Sequence, residues 1–133
     1  MDLVRDAMVA DPFSLRAEQP ARDAGEALVR PEVRAVFVVD GVGRLVGVVT
    51  RNTLVREVVA AGRDPETTPL GEIAERPNAT IDSGLSLVDG FAFLEERDYE
   101  RVPVVDDGRL VGVLARAVVQ RRLAEDDPPA DGE

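Results

Sequence analysis

The 133-residue chain contains no cysteine, no histidine, no lysine and no tryptophan, and aromatic residues make up only 4% of it. Without Cys and His there are no disulfides, no thiol chemistry, no imidazole base and no Cys/His zinc site. Without Lys there is neither a Schiff base nor a Walker-type phosphate loop. A core so short of aromatics must be built from Val, Leu, Ile and Ala. The net charge of −10 opposes a nucleic-acid partner or an anionic membrane surface. No apolar run reaches the length of a spanning helix, and Met1-Asp2-Leu3 lacks a basic n-region. The expectation is a soluble, cytoplasmic, non-catalytic protein that requires no cofactor.

What the chain does have is an internal repeat. Val38-Val39-Asp40-Gly41-Val42-Gly43-Arg44-Leu45-Val46-Gly47-Val48-Val49 returns as Val104-Val105-Asp106-Asp107-Gly108-Arg109-Leu110-Val111-Gly112-Val113-Leu114. The offset is 66 residues before the turn and 65 after it. Apolar positions also match, with Leu15 on Ile81, Ala21 on Leu87, Leu28 on Leu94 and Val36 on Val102. Each copy reads as strand, helix, strand, tight turn, strand, helix.

The predicted strands are 13–15, 35–39, 45–49, 79–81, 102–105 and 109–114. The Val runs predict strands buried on both faces, and Asp40-Gly41 and Asp107-Gly108 predict turns that tolerate positive φ. The first helix begins at Pro20, and the second helices cover about 51–61 and 116–124. This places repeat 1 at 1–62, a polar linker at 63–69, repeat 2 at 70–124 and a disordered acidic tail at 125–133. A repeat of about 60 residues is marginal alone, so the halves are expected to bury their apolar sheet faces against each other.

The glycines of Gly41-Val42-Gly43-Arg44-Leu45-Val46-Gly47 join strand to strand. A phosphate loop must instead feed a helix N-terminus. The carboxylate clusters Glu95-Glu96, Asp106-Asp107 and Glu125-Asp126-Asp127 fall in a helix end, a turn and the tail, where solvated surface is expected. Phe91 and Phe93 point about 200° apart on one helix, so a single apolar face cannot bury both. With Leu54, Val55, Val58 and Val59 they suggest a homodimer through helical faces, with burial inside the chain as the alternative.

The repeat resembles the tandem cystathionine-β-synthase (CBS) domain pair, or Bateman module, over roughly Val4 to Leu123. The resemblance rests on Arg101–Val113, Gly47-Val48-Val49-Thr50-Arg51 and Val4-Arg5-Asp6-Ala7-Met8. It implies an α/β (α+β) fold of two β-α-β-β-α repeats packed about a pseudo-two-fold axis. It also implies a regulatory module whose inter-repeat clefts bind adenosine ligands such as AMP, ADP, ATP or S-adenosylmethionine.

The family motif Gly-h-h-Thr/Ser-x-x-Asp (h apolar) maps onto Gly47-Val48-Val49-Thr50-Arg51-Asn52-Thr53, with Thr53 at the ribose-binding Asp. By the same resemblance, Thr80, Ile81, Arg101 and Pro103 complete that cleft. The second copy, Gly112-Val113-Leu114-Ala115-Arg116-Ala117-Val118, loses both hydroxyl and carboxylate. Its weaker cleft would join Ala115 and Val118 to Ser14, Leu15 and Arg34. The missing Asp leaves two functions open. One is a weak adenosine-ligand sensor that signals to a partner; the other is a ligand-free oligomerisation or interaction module docking on a separate enzyme or transporter.

Overall fold

The computed structural model describes residues 2–126. In chain order the elements are α1 (Val4–Ala7), β1 (Val9–Ala10), β2 (Ser14–Arg16), α2 (Ala21–Leu28), β3 (Val36–Val39), β4 (Leu45–Val49) and α3 (Arg51–Leu54). A π-helical turn (Val55–Val59) extends α3, followed by α4 (Leu70–Ile73), β5 (Ile81–Asp82), α5 (Leu87–Arg97), β6 (Arg101–Asp106), β7 (Arg109–Ala115) and α6 (Arg116–Asp126). This is a mixed α+β fold with two sheets, ordered β1-β7-β6-β5 and β2-β3-β4.

Two compact units emerge, one of Met1–Pro12 with Ala79–Glu133 and one of Phe13–Asn78. Each unit is the body of one repeat completed by the leading arm of the other. In the first unit the amides of Val4 and Arg5 donate to Leu85 O at 2.8 Å and Ser83 O at 3.1 Å. In the second, Leu70 and Gly71 donate to Gln19 O and Ala17 O, both at 2.8 Å. These are the same bonds, one repeat apart.

The arms explain the second glycine of the repeated Gly-Arg-Leu-Val-Gly-Val. A Cβ on Gly47 would stand 2.7 Å from Glu75 O, and one on Gly112 would stand 2.9 Å from Val9 O. Only a residue without a side chain lets the arm's backbone lie against the strand.

Each unit has its own core. Val36, Val38, Val49, Leu28, Leu70 and Ile73 fill the second; Val102, Val104, Leu114, Leu94, Leu87 and Val119 fill the first. Ala21, Ala24 and Leu28 recur at helical spacing along α2 and bury one stripe, with Pro20 extended at its N-cap. On α5, Ser86 Oγ accepts from the Asp89 amide at 3.1 Å, and Asp98 ends the helix at φ 55°.

Several expectations need correction. The Val strands alternate buried and half-exposed residues and are not buried on both faces: Val36 and Val38 are enclosed while Phe37 and Val39 are not. In the β3–β4 turn the positive φ falls on Gly43. Asp40 acts there through its carboxylate, whose Oδ1 accepts from the amides of Val42 and Arg44, both at 2.9 Å. The β6–β7 turn does place Asp107 and Gly108 at positive φ. The expected tail loses its first two residues to α6, which runs through Asp126, and residues 127–133 lie outside the described part.

Candidate functional site

Strand β4 hands over to α3 at Thr50, and here the second unit concentrates its buried polar chemistry. Thr50 is the helix N-cap: its Oγ1 accepts from the Thr53 amide at 3.3 Å, while Thr53 Oγ1 accepts from the Thr50 amide at 3.0 Å. The two hydroxyls lie 3.1 Å apart. Thr53 Oγ1 in turn donates to Glu75 Oε2 at 2.8 Å, and the other carboxylate oxygen pairs with Arg56 on the π-helical turn.

The proton count decides who donates to whom. A hydroxyl has one proton and two lone pairs. Thr53 gives its proton to Glu75, so Thr50 must be the donor between the hydroxyls. Thr53 is then saturated and fully buried, at 0% exposure. Thr50 keeps one lone pair and is half-buried. The Glu75 side chain is 48% exposed, and each of its oxygens retains an acceptor position beyond the bond it already makes.

Glu75 is held on its backbone as well. Its amide donates to Val48 O at 2.9 Å and its carbonyl accepts from the Val48 amide at 2.8 Å. In the first unit the equivalent bridge pairs Val9 with Val113, and the position of Thr53 is taken by Val118. A Thr–Glu pair in one unit thus corresponds to a Val–Val pair in the other. Sequence reasoning missed Glu75 and Arg56. The signal was available: at the repeat offset Glu75 falls on Val9 just as Thr53 falls on Val118.

The remaining candidates separate by unit. Thr80, Ile81, Arg101 and Pro103 belong to the first unit, where parallel pairing sets Ile81 against Val104 of the strand carrying Arg101 and Pro103. Thr80 and Arg101 are exposed, Ile81 is buried and Pro103 is half-exposed. Arg101 faces Ala115 across the β6–β7 ladder. Ala115 and Val118 are half-exposed in that unit, whereas Ser14, Leu15 and Arg34 lie in the second, with Ser14 paired to Phe37. Among the described residues Arg34 and Arg101 make no ion pair or side-chain hydrogen bond.

The helical residues also sort differently from expectation. Phe91 and Phe93 both pack on the first unit's core. Phe93 lies 6.2 Å from the Tyr99 ring, with the Arg97 guanidinium 4.1 Å over its face. Val58 is only 4% exposed, while Val55 and Val59 are 57% and 73% exposed. Val58 and Val59, together with Val29 and Leu54, line an apolar groove of about 580 Å³ between α2 and the π-helical turn.

The CBS domain family model matches residues 4–60 and 67–125. Hypoxic response protein 1 of Mycobacterium tuberculosis is 30% identical over 125 residues, covering 94% of this chain and 87% of that protein. A crystal structure of that protein with two coordinated zinc ions matches with a TM-score of 0.75 at 29% identity, over 92% of this chain and 99% of the other. CBSX2 in complex with AMP matches with a TM-score of 0.72 at 26% identity, over 95% and 98%. The zinc does not fit the donors present here. The chain lacks His and Cys, and no group of three or more His, Cys, Asp or Glu side chains converges among the described residues. Nor is any helix among them long and apolar enough to cross a membrane.

Proposed function

Because the chain belongs to the CBS domain family, we propose that it is a regulatory binding module, not an enzyme, and that it takes an adenosine-containing ligand at the Thr50 side of its second unit. The observation that carries this reading is the AMP complex of CBSX2, a protein alike over 95% of this chain. The retained Thr50 at the strand-to-helix junction supports it. By the same resemblance Thr80, Ile81, Arg101 and Pro103 of the first unit are ligand-binding candidates, and the exposed guanidinium of Arg101 suits a phosphate. Binding acts by population shift: the ligand favours whichever state holds it more tightly, and a partner reads that state.

The Ala115 and Val118 side of the first unit offers no hydroxyl and no carboxylate for a ribose, so at most a weaker site is proposed there. A thermal-shift series with AMP, ADP, ATP and S-adenosylmethionine tests the reading. At least one ligand is expected to raise the melting midpoint at millimolar concentration, and T50V to abolish the rise. No shift with any of the four would refute it.

The same module is read as a homodimer through its second unit. Exposed Val55 and Val59 stand on the π-helical turn, Val59 lining the groove with Val29 and Leu54, and a two-fold contact sets these valines of one copy into the groove of the other. Val59→Glu should convert the dimer to a folded monomer by light scattering. A dimer that persists refutes this interface. The exposed valines equally suit the alternative, a ligand-free module docking on a separate enzyme or transporter, which is favoured if the ligand series fails.

A further inference from the structure

We infer that Glu75, and not Thr53, is the group in this chain that receives the ribose hydroxyls of a bound adenosine nucleotide, and that among the described residues it is the one such acceptor. The inference rests on the adenosine-binding reading above and adds to it the identity of the discriminating residue.

Two adjacent ribose hydroxyls are donors, and a carboxylate is the acceptor that takes both. Thr53 cannot serve, because it is fully buried and its single proton and both lone pairs are already engaged. Glu75 touches the same turn from the neighbouring arm. Its Oε2 is fixed by Thr53, its Oε1 by Arg56, and its backbone by two bonds to Val48. The carboxylate is therefore oriented and half exposed at the Thr50 turn before any ligand arrives, which lowers the ordering cost of binding.

The first unit provides the internal comparison. It keeps the arm, the bridge and an arginine, Arg121, one repeat from Arg56, but has Val9 and Val118 in place of the carboxylate and hydroxyl. The backbone arrangement does not depend on the polar pair, since the same arm and bridge close over two valines in the first unit. The pair is a local substitution that places an acceptor on one unit alone.

The test compares AMP with 2′,3′-dideoxyadenosine 5′-monophosphate by calorimetric titration of the full chain and of E75Q. Wild type should bind AMP about tenfold to a hundredfold more tightly than the dideoxy nucleotide, the effect of a hydrogen bond to a charged group. In E75Q that preference should fall to about threefold or less, with dideoxy binding unchanged. Because the preference is a ratio within one protein, a general loss of stability in the variant does not imitate the result. Wild type that binds both nucleotides equally, or E75Q that keeps the full preference, overturns the assignment of Glu75 and leaves adenosine binding intact. Wild type that binds neither nucleotide overturns both.

Discussion

Replacing Thr53 by Val keeps the shape of a fully buried side chain and removes only its hydroxyl. Three partners lose a bond: the Thr50 amide at 3.0 Å, the Thr50 hydroxyl at 3.1 Å and Glu75 Oε2 at 2.8 Å. They do not lose equally. Glu75 is half exposed and regains water, so its charge-assisted bond counts for little in stability. The Thr50 hydroxyl can turn outward. The Thr50 amide is half-buried, and leaving it unpaired costs roughly 1 kcal/mol, with the other two adding a few tenths each. The reverse cap, Thr53 N–H to Thr50 Oγ1, survives because it uses backbone. A net loss of about 1–2 kcal/mol follows, or about 4–8 °C in Tm for a chain of this length. Urea unfolding should show a lower midpoint with an unchanged slope. Val118→Thr is the control: the equivalent arm offers it Val9 and no carboxylate, so stability should change by less than about 0.5 kcal/mol. T53V as stable as wild type would refute the claim that this hydroxyl organises the turn.

Two further outcomes are expected. Gly47→Ala forces a methyl to within 2.7 Å of Glu75 O. It should cost about 1–3 kcal/mol in urea unfolding and weaken AMP binding as Glu75 is pushed away, whereas wild-type values would contradict the close-approach argument. Asp40 is held below its ordinary carboxylate range by the amides of Arg44 and then Val42. A depressed folded-state pKa stabilises above the unfolded value and is lost as pH falls through the folded one. Thermal melts from pH 6 to pH 2 should therefore show a shallower loss of stability below about pH 4 in Asp40→Asn than in wild type. An identical acid limb in the two proteins would refute that role for the β3–β4 turn.

The repeat made most of the architecture legible. An offset of 66 and 65 residues located both hairpins and both sets of helices, because a duplicated pattern is read twice and errors in one copy show against the other. The arms were harder. Ala74-Glu75 is a short polar stretch beyond α4, without hydrophobic periodicity, and its place is set by backbone pairing to Val48 rather than by its own propensity. Glu75 stayed hidden for that reason, although its alignment with Val9 was present in the numbers. The burial pattern of the strands misled for a different cause. A run of valines satisfies a one-sided strand as well as a two-sided one, since β-branched residues suit either. Phe91 and Phe93 show the limit of helical geometry: both find room against one core because Tyr99 and Arg97 close around the second ring.

A single adenosine-ligand site per chain is expected, built on the unit that carries Thr50 and Glu75. Titration of the full chain with AMP measures it directly, through affinity and stoichiometry together. One AMP per chain is predicted, with binding saturable below millimolar concentration. Two equal sites per chain, or no heat at all at millimolar AMP, would contradict it.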